Sequence, residues 1–168
     1  MKLMYLANIR LPTEKAHGAQ IMKMCEAFAD AGHEIILAVP WRFNRIQEDP
    51  FVYYSVKRNF KITKLFSLDL VKLGRAGFLV QLLSFSFSAL RYVLFKKSDC
   101  VYSRDELPLL LLHFLGKNIV WEVHMPRYNA VARSLAKRTK KIVTISQGLK
   151  LFYIKKLFRA FLFRLSFQ

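Results

Sequence analysis

Acidic side chains are the scarcest chemistry here: 11 Asp and Glu stand against 28 Lys and Arg, a formal charge of +17 at pH 7. Cysteine is nearly absent. Cys25 and Cys100 are too few for a disulfide framework and read as small apolar core side chains of a reduced protein. Six glycines and five prolines exclude a collagen-like or linker-dominated chain. Several catalytic signatures are missing too. No G-x-x-x-x-G-K-S/T cradles phosphates, and no G-x-G-x-x-G binds a dinucleotide. No H-E-x-x-H or C-x-x-C offers zinc ligands, and no G-x-S-x-G suggests an α/β-hydrolase nucleophile.

What is present is apolar: 54% of the 168 residues are hydrophobic and 23% charged, which excludes intrinsic disorder and suits one domain with its own core. The opening MKLMYLANIR reads as a strand, because no small-residue cleavage site follows it as in a secretory signal. Residues 78–95, FLVQLLSFSFSALRYVLF, are long enough to span a membrane, but Gln81, Arg91 and three serines interrupt them. A buried or surface-lying helix is expected there.

Charge is unevenly spread. Residues 1–53 are balanced, 54–98 hold nine basic groups and one acid (Asp69), and after Glu122 eleven basic groups meet no acid. Such an excess attracts anionic partners: an anionic membrane surface, phosphorylated substrates or nucleic acid. Nucleic acid is not expected, because no RNP-like strand, zinc-finger spacing or helix-turn-helix accompanies the charge.

Strand and helix signals alternate. Residues 2–8 form a compact apolar run, followed by a helix over 18–30 with Ile21, Met24, Cys25 and Phe28 at spacings of three and four. Gly32 ends that helix in the left-handed position that glycine tolerates, and EIILAV over 34–39 is the next strand. A loop is predicted over 41–59, a strand over 61–66, a long, broken or curved helix over 74–97 and a strand over 100–103. A helix over 107–115, a strand over 118–124, a helix over 128–138, a strand over 141–145 and a helix from 147 complete the order. This alternation predicts an α/β fold, a Rossmann-like open parallel sheet with helices on both faces.

Ligands of such sheets bind beyond the carboxyl ends of the strands, which nominates the loops after Asn8, Ser103, His124 and Ile145. Glu122 and His124 alternate on one strand and share a face, so the carboxylate can orient the imidazole, the two can provide half a metal site, or the histidine can simply cap backbone. His17-Gly18 lies where a helix N-terminus attracts anions, or is an ordinary helix start. Ser103 or Asp105 can cap the following helix, and Arg104 can pair with Asp105 or Glu122.

At these residues a resemblance appears. ANIRLPTEKAHGAQIMKMCEAFADAGHEIILAVP, VYSRDELPLLLLHFLGKNIVWEVH and KKIVTISQGLK resemble, in that order, the N-terminal domain of glycosyltransferase family 4 over residues 1–157. The resemblance implies the N-terminal half of a GT-B fold, a retaining enzyme that moves a sugar from a nucleotide-diphosphate sugar to a glycan or lipid-linked acceptor. It implies His124 as the catalytic-site histidine contacting the transferred sugar. His17 and Gly18 would lie in the loop facing acceptor or donor phosphates, and Ser103, Arg104, Asp105 and Glu122 would shape the acceptor cleft. No cofactor or metal is implied, the nucleotide sugar being a co-substrate. The expected place of action is the cytoplasm, peripheral at the inner face of the plasma membrane. Many members carry Gly-Gly where this chain has His17-Gly18-Ala19.

The family's second, donor-binding domain, with its E-x-x-x-x-x-x-x-E motif, has no counterpart before Gln168, so a partner domain in cis or trans is implied. Residues 158–168 read as a basic, aromatic tail, either the product of a truncated or frame-shifted coding sequence or a membrane-surface helix. The alternative function is a non-enzymatic, basic membrane-surface or partner-binding module.

Overall fold

The computed structural model describes residues 1–139 and 141–165, with side chains along the last helix to residue 157. The basic, aromatic tail therefore lies outside the described side chains.

Six strands form one sheet in the order β3-β2-β1-β4-β5-β6. They are β1 (Lys2–Leu6), β2 (Glu34–Pro40), β3 (Lys61–Leu65), β4 (Cys100–Ser103), β5 (Ile119–Val123) and β6 (Lys141–Thr144). Helices surround the sheet, giving the α/β Rossmann-like class that the sequence predicted. Burial along the strands follows their positions in this order. In β1 and β2 four and six successive residues are buried, as strands covered on both faces require, whereas β6 never buries a residue fully and β3 buries only Leu65.

The chain divides into two compact units, Met1–Val101 and a second beginning at Tyr102. In the first, β1 pairs in parallel with β2 (Leu3 opposite Ile35) and β2 with β3 (Leu37 opposite Ile62). Its helices are α1 (Ala16–Asp30), α2 (Pro50–Tyr53) and α3 (Gly74–Phe95), the last preceded by a 3-10 turn at Val71–Leu73. Ile21, Met22 and Cys25 of α1 and Phe85, Ala89 and Val93 of α3 are fully buried at helical spacing. Both cysteines are buried and neither forms a disulfide, and burial pushes the Cys25 thiol up, which leaves it inert. Gly32 takes φ +83° just past the end of α1, the left-handed position expected of it.

Within the second unit, β5 pairs in parallel with β6, Trp121 opposite Ile142. Its helices are α4 (Glu106–Phe114), α5 (Ala130–Arg138) and α6 (Gln147–Leu165). Leu109, Leu112, Trp121, Leu135 and Tyr153 fill the core there.

Three local details differ from the predicted elements. The loop predicted over 41–59 contains α2, started by Pro50 and capped by Asp49, whose carboxylate accepts from Phe51 N at 2.9 Å and Val52 N at 3.4 Å. A single turn has no apolar period to betray it. Helix α1 starts at Ala16, which puts His17 and Gly18 inside its first turn instead of ahead of it. The long helix α3 is one uninterrupted 22-residue segment ending at Phe95.

Candidate functional site

In the second unit, a cavity of about 310 Å³ opens beyond the carboxyl end of β5. Arg104, Asp105, Glu106, Glu122, His124 and Arg127 give it polar walls. Strand β5 delivers two of these. Alternation along the strand turns Glu122 and His124 to one face, and His124 stands one residue past the last β5 position.

Glu122 is the anchor. Its side chain is only 2% exposed, and its Oε1 lies 2.8 Å from His124 Nε2. A carboxylate can only accept, so Nε2 carries the hydrogen of this contact, and in the Nε2–H tautomer Nδ1 keeps its lone pair. The other carboxylate oxygen lies 3.9 Å from Arg104 Nε. The Tyr102 hydroxyl also hydrogen-bonds Glu122, and burial, then the Glu122 charge, hold that phenol well above its ordinary range. A buried carboxylate is tolerated when hydrogen bonds and an opposite charge surround it, as these three partners do. Arg104 takes the Glu122 pairing of the two that the sequence allowed, while its Nε and Nη2 are buried without a hydrogen bond.

The turn between β4 and α4 is shaped by Ser103, which is fully buried and accepts from Asp105 N at 3.0 Å. Ser103 thus sets the turn and does not line the cavity, while Asp105 holds the cap position of α4 without a side-chain cap bond. Glu106 opens α4. Burial raises its pKa, against the opposing pull of the Asn129 amide and the Arg127 charge.

Two residues that the sequence reading did not single out support the site. One is Tyr102. The other is Tyr153 of α6, whose hydroxyl donates to Arg127 O at 2.5 Å and sits 3.4 Å from Met125 O, fastening the segment after β5. Its ring meets Trp121 edge-on at 5.4 Å, and burial pushes its hydroxyl up to about 12. Two tyrosines among seven carry no motif, and only their positions at a strand end and on an inward helix face hint at a role.

His17 and Gly18 belong to the first unit. Gly18 is buried, and the Cβ of any other residue would meet Tyr54 Oη at 2.2 Å and Thr13 Cγ2 at 2.6 Å. Its amide donates to Lys15 O at 2.9 Å. The close approach that glycine permits at this position is therefore taken up by Tyr54. That hydroxyl donates to Thr13 O at 2.7 Å and accepts from Thr13 N at 2.6 Å, which locks the segment ahead of α1.

No family model matches the chain. No curated protein matches it in sequence. Several solved structures share its fold, two of which follow. One is described as a UDP-N-acetylglucosamine 2-epimerase from Listeria monocytogenes, with a TM-score of 0.59 and 9% identity over 92% of this chain and 42% of that one. The other is MurG of Acinetobacter baumannii, with a TM-score of 0.53 and 16% identity over 85% of this chain and 40% of that one. The chain spans about two fifths of the length of each.

Proposed function

We propose that this chain is the N-terminal, acceptor-binding domain of a retaining GT-B glycosyltransferase of family 4. The reaction is transfer of a sugar from a nucleotide-diphosphate sugar to a glycan or lipid-linked acceptor. The observation that carries this reading is the Glu122–His124 pair at the mouth of the cavity beyond β5. The Rossmann-like fold, shared with a protein described as acting on a UDP-sugar, supports it.

The chemistry runs through His124. With Nε2–H engaged by Glu122, Nδ1 is free to accept from a sugar hydroxyl, and the carboxylate stabilises the ring should it take up a proton. Arg104 and Tyr102 hold Glu122 from behind, so the imidazole is aimed before any ligand arrives. Asp105, Glu106 and Arg127 offer hydrogen bonds to other hydroxyls, with Met125 and Val123 beside them for the apolar face of a sugar ring. The first turn of α1, with His17 and Gly18, faces phosphates of the donor or acceptor in this reading, Gly18 contributing shape and not an amide. Leaving-group charge is met by basic side chains and helix N-termini, with no cofactor or metal. The chain works in the cytoplasm, peripheral at the inner face of the plasma membrane, with the donor-binding domain supplied in cis or trans.

Binding is read by NMR of the His124 ring while the full chain is titrated with nucleotide-diphosphate sugars and with oligosaccharide acceptors. An acceptor glycan shifts the ring, and His124→Ala weakens that glycan by about tenfold, the value of one hydrogen bond of roughly 1.4 kcal/mol. Transfer of labelled sugar is absent from the chain alone and appears when a donor-binding domain is added. A His124 ring that no sugar moves overturns the assignment.

A further inference from the structure

Helix α3 is apolar on both faces, and only one of them is covered. Its inner face buries Gln81, Phe85, Ala89 and Val93 at spacings of four. Its outer face exposes Leu79, Leu83, Phe87 and Leu94, which form one stripe, and Phe87 is 68% exposed. The segment ahead of the helix extends this surface. The Leu70 carbonyl is seated so close to Gly77 that a Cβ there would lie 1.8 Å from it, and Leu68, Leu70 and Leu73 remain exposed.

The rim of the stripe is cationic. Lys72, Arg75, Arg91, Lys96 and Lys97 are exposed, and none of them pairs with a carboxylate among the described residues. The two acids nearest in sequence are engaged elsewhere: Asp69 with Arg42 at 2.9 Å, and Asp99 with the Lys2 amide at 2.6 Å.

We infer that the outer face of α3 docks on an anionic lipid bilayer, the helix lying in the plane of the headgroups. An apolar stripe rimmed by unpaired Lys and Arg complements acyl chains beneath phosphate headgroups. A second copy of this chain fits worse, since two identical cationic rims would face each other. The 25-residue apolar segment Val71–Phe95 is long enough to cross a membrane, but a crossing would strip the inner face from its core. It would also break the buried bonds of Gln81, whose Nε2 donates to Asn8 Oδ1 at 2.7 Å and to Ser67 Oγ at 3.1 Å. The inference stands on α3 alone, independently of the sugar-transfer reading, because vesicle binding reads no sugar.

The test is co-sedimentation of the full chain with vesicles of phosphatidylcholine alone or mixed with phosphatidylglycerol. Binding is at least tenfold tighter to the mixed vesicles and falls about fivefold with each of Lys72→Gln and Arg91→Gln. Leu83→Ser with Phe87→Ser abolishes it while circular dichroism stays unchanged, since both side chains are exposed. Phe87→Trp keeps the face intact and reports insertion as a blue-shifted emission on vesicle addition. Phe161→Ser with Phe163→Ser, in the tail outside the described side chains, leaves binding within twofold. The inference is overturned by absence of binding, by binding that the tail substitutions remove and the α3 substitutions do not, or by a Phe87→Trp emission that vesicles leave unmoved. A dimer that Leu83→Ser with Phe87→Ser dissociates, without vesicle binding, overturns it in favour of self-association.

Discussion

Replacing Gly18 by alanine tests whether the first loop is held by Tyr54. The new methyl would stand 2.2 Å from the Tyr54 hydroxyl and 3.0 Å from the ring carbon bearing it. Ordinary contact requires the ring tip to retreat by about 1 Å. That retreat breaks both hydrogen bonds to Thr13, at 2.6 and 2.7 Å. Two bonds at about 1 kcal/mol each, plus about 1 to 3 kcal/mol of overpacking, less about 1 kcal/mol for alanine's better helix propensity, leave a loss of about 2 to 4 kcal/mol. Urea unfolding followed by circular dichroism measures it. The decisive arm is Tyr54→Phe. Alone it forfeits the two bonds, but combined with Gly18→Ala it removes the nearer of the two atoms in the way, Thr13 Cγ2 at 2.6 Å being the other, so the double variant is more stable than the sum of the single losses by at least about 1 kcal/mol. A Gly18→Ala protein within about 0.5 kcal/mol of wild type, or a strictly additive pair, refutes the reasoning.

Glu122→Ala leaves the Arg104 guanidinium, whose Nε and Nη2 are buried, without its counter-charge and costs about 3 kcal/mol by urea unfolding, more than His124→Ala, which removes one hydrogen bond. Asn129→Ala removes the cap that accepts from Ala132 N at 2.8 Å and lowers stability by about 1 kcal/mol in the same assay. Glu106 carries a raised folded-state pKa, so its share of stability is complete below the ordinary carboxyl range and is lost as pH rises through the folded value. Glu106→Gln is therefore more stable than wild type at neutral pH, with the advantage shrinking in acid, and thermal melts across pH detect it. Tyr153→Phe loosens the segment after β5 and costs about 1 kcal/mol, with faster amide exchange at residues 125–129.

Element order was legible because each strand and helix carries its own period. Short apolar runs between glycine, proline and polar turns mark parallel strands, and the three- and four-residue spacing of Ile21, Cys25 and Phe28 marks α1. The Glu122–His124 pairing was equally legible, since two-residue alternation along a strand is enough by itself to fix a shared face. What escaped depends on contacts between distant residues. Nothing near Gly18 announces that Tyr54, 36 positions on, fills the space beside it. Tyr102 and Tyr153 reach the site from a strand and a helix whose side-chain directions only the fold supplies. The outer face of α3 escaped for a different reason. A helix apolar all round has no preferred side in its sequence, so only packing tells the covered face from the open one.

The sheet ends in β3 and β6, and both carry exposed lysine: Lys61 and Lys64 on one, Lys141 on the other. An incoming strand at either border would have to lay its backbone beside ammonium groups, and two such borders meeting would repel. The chain can thus carry an open apolar helix face without its sheet becoming a template for polymerisation. Neutralising those lysines would remove the charge that guards both sheet edges against an incoming strand.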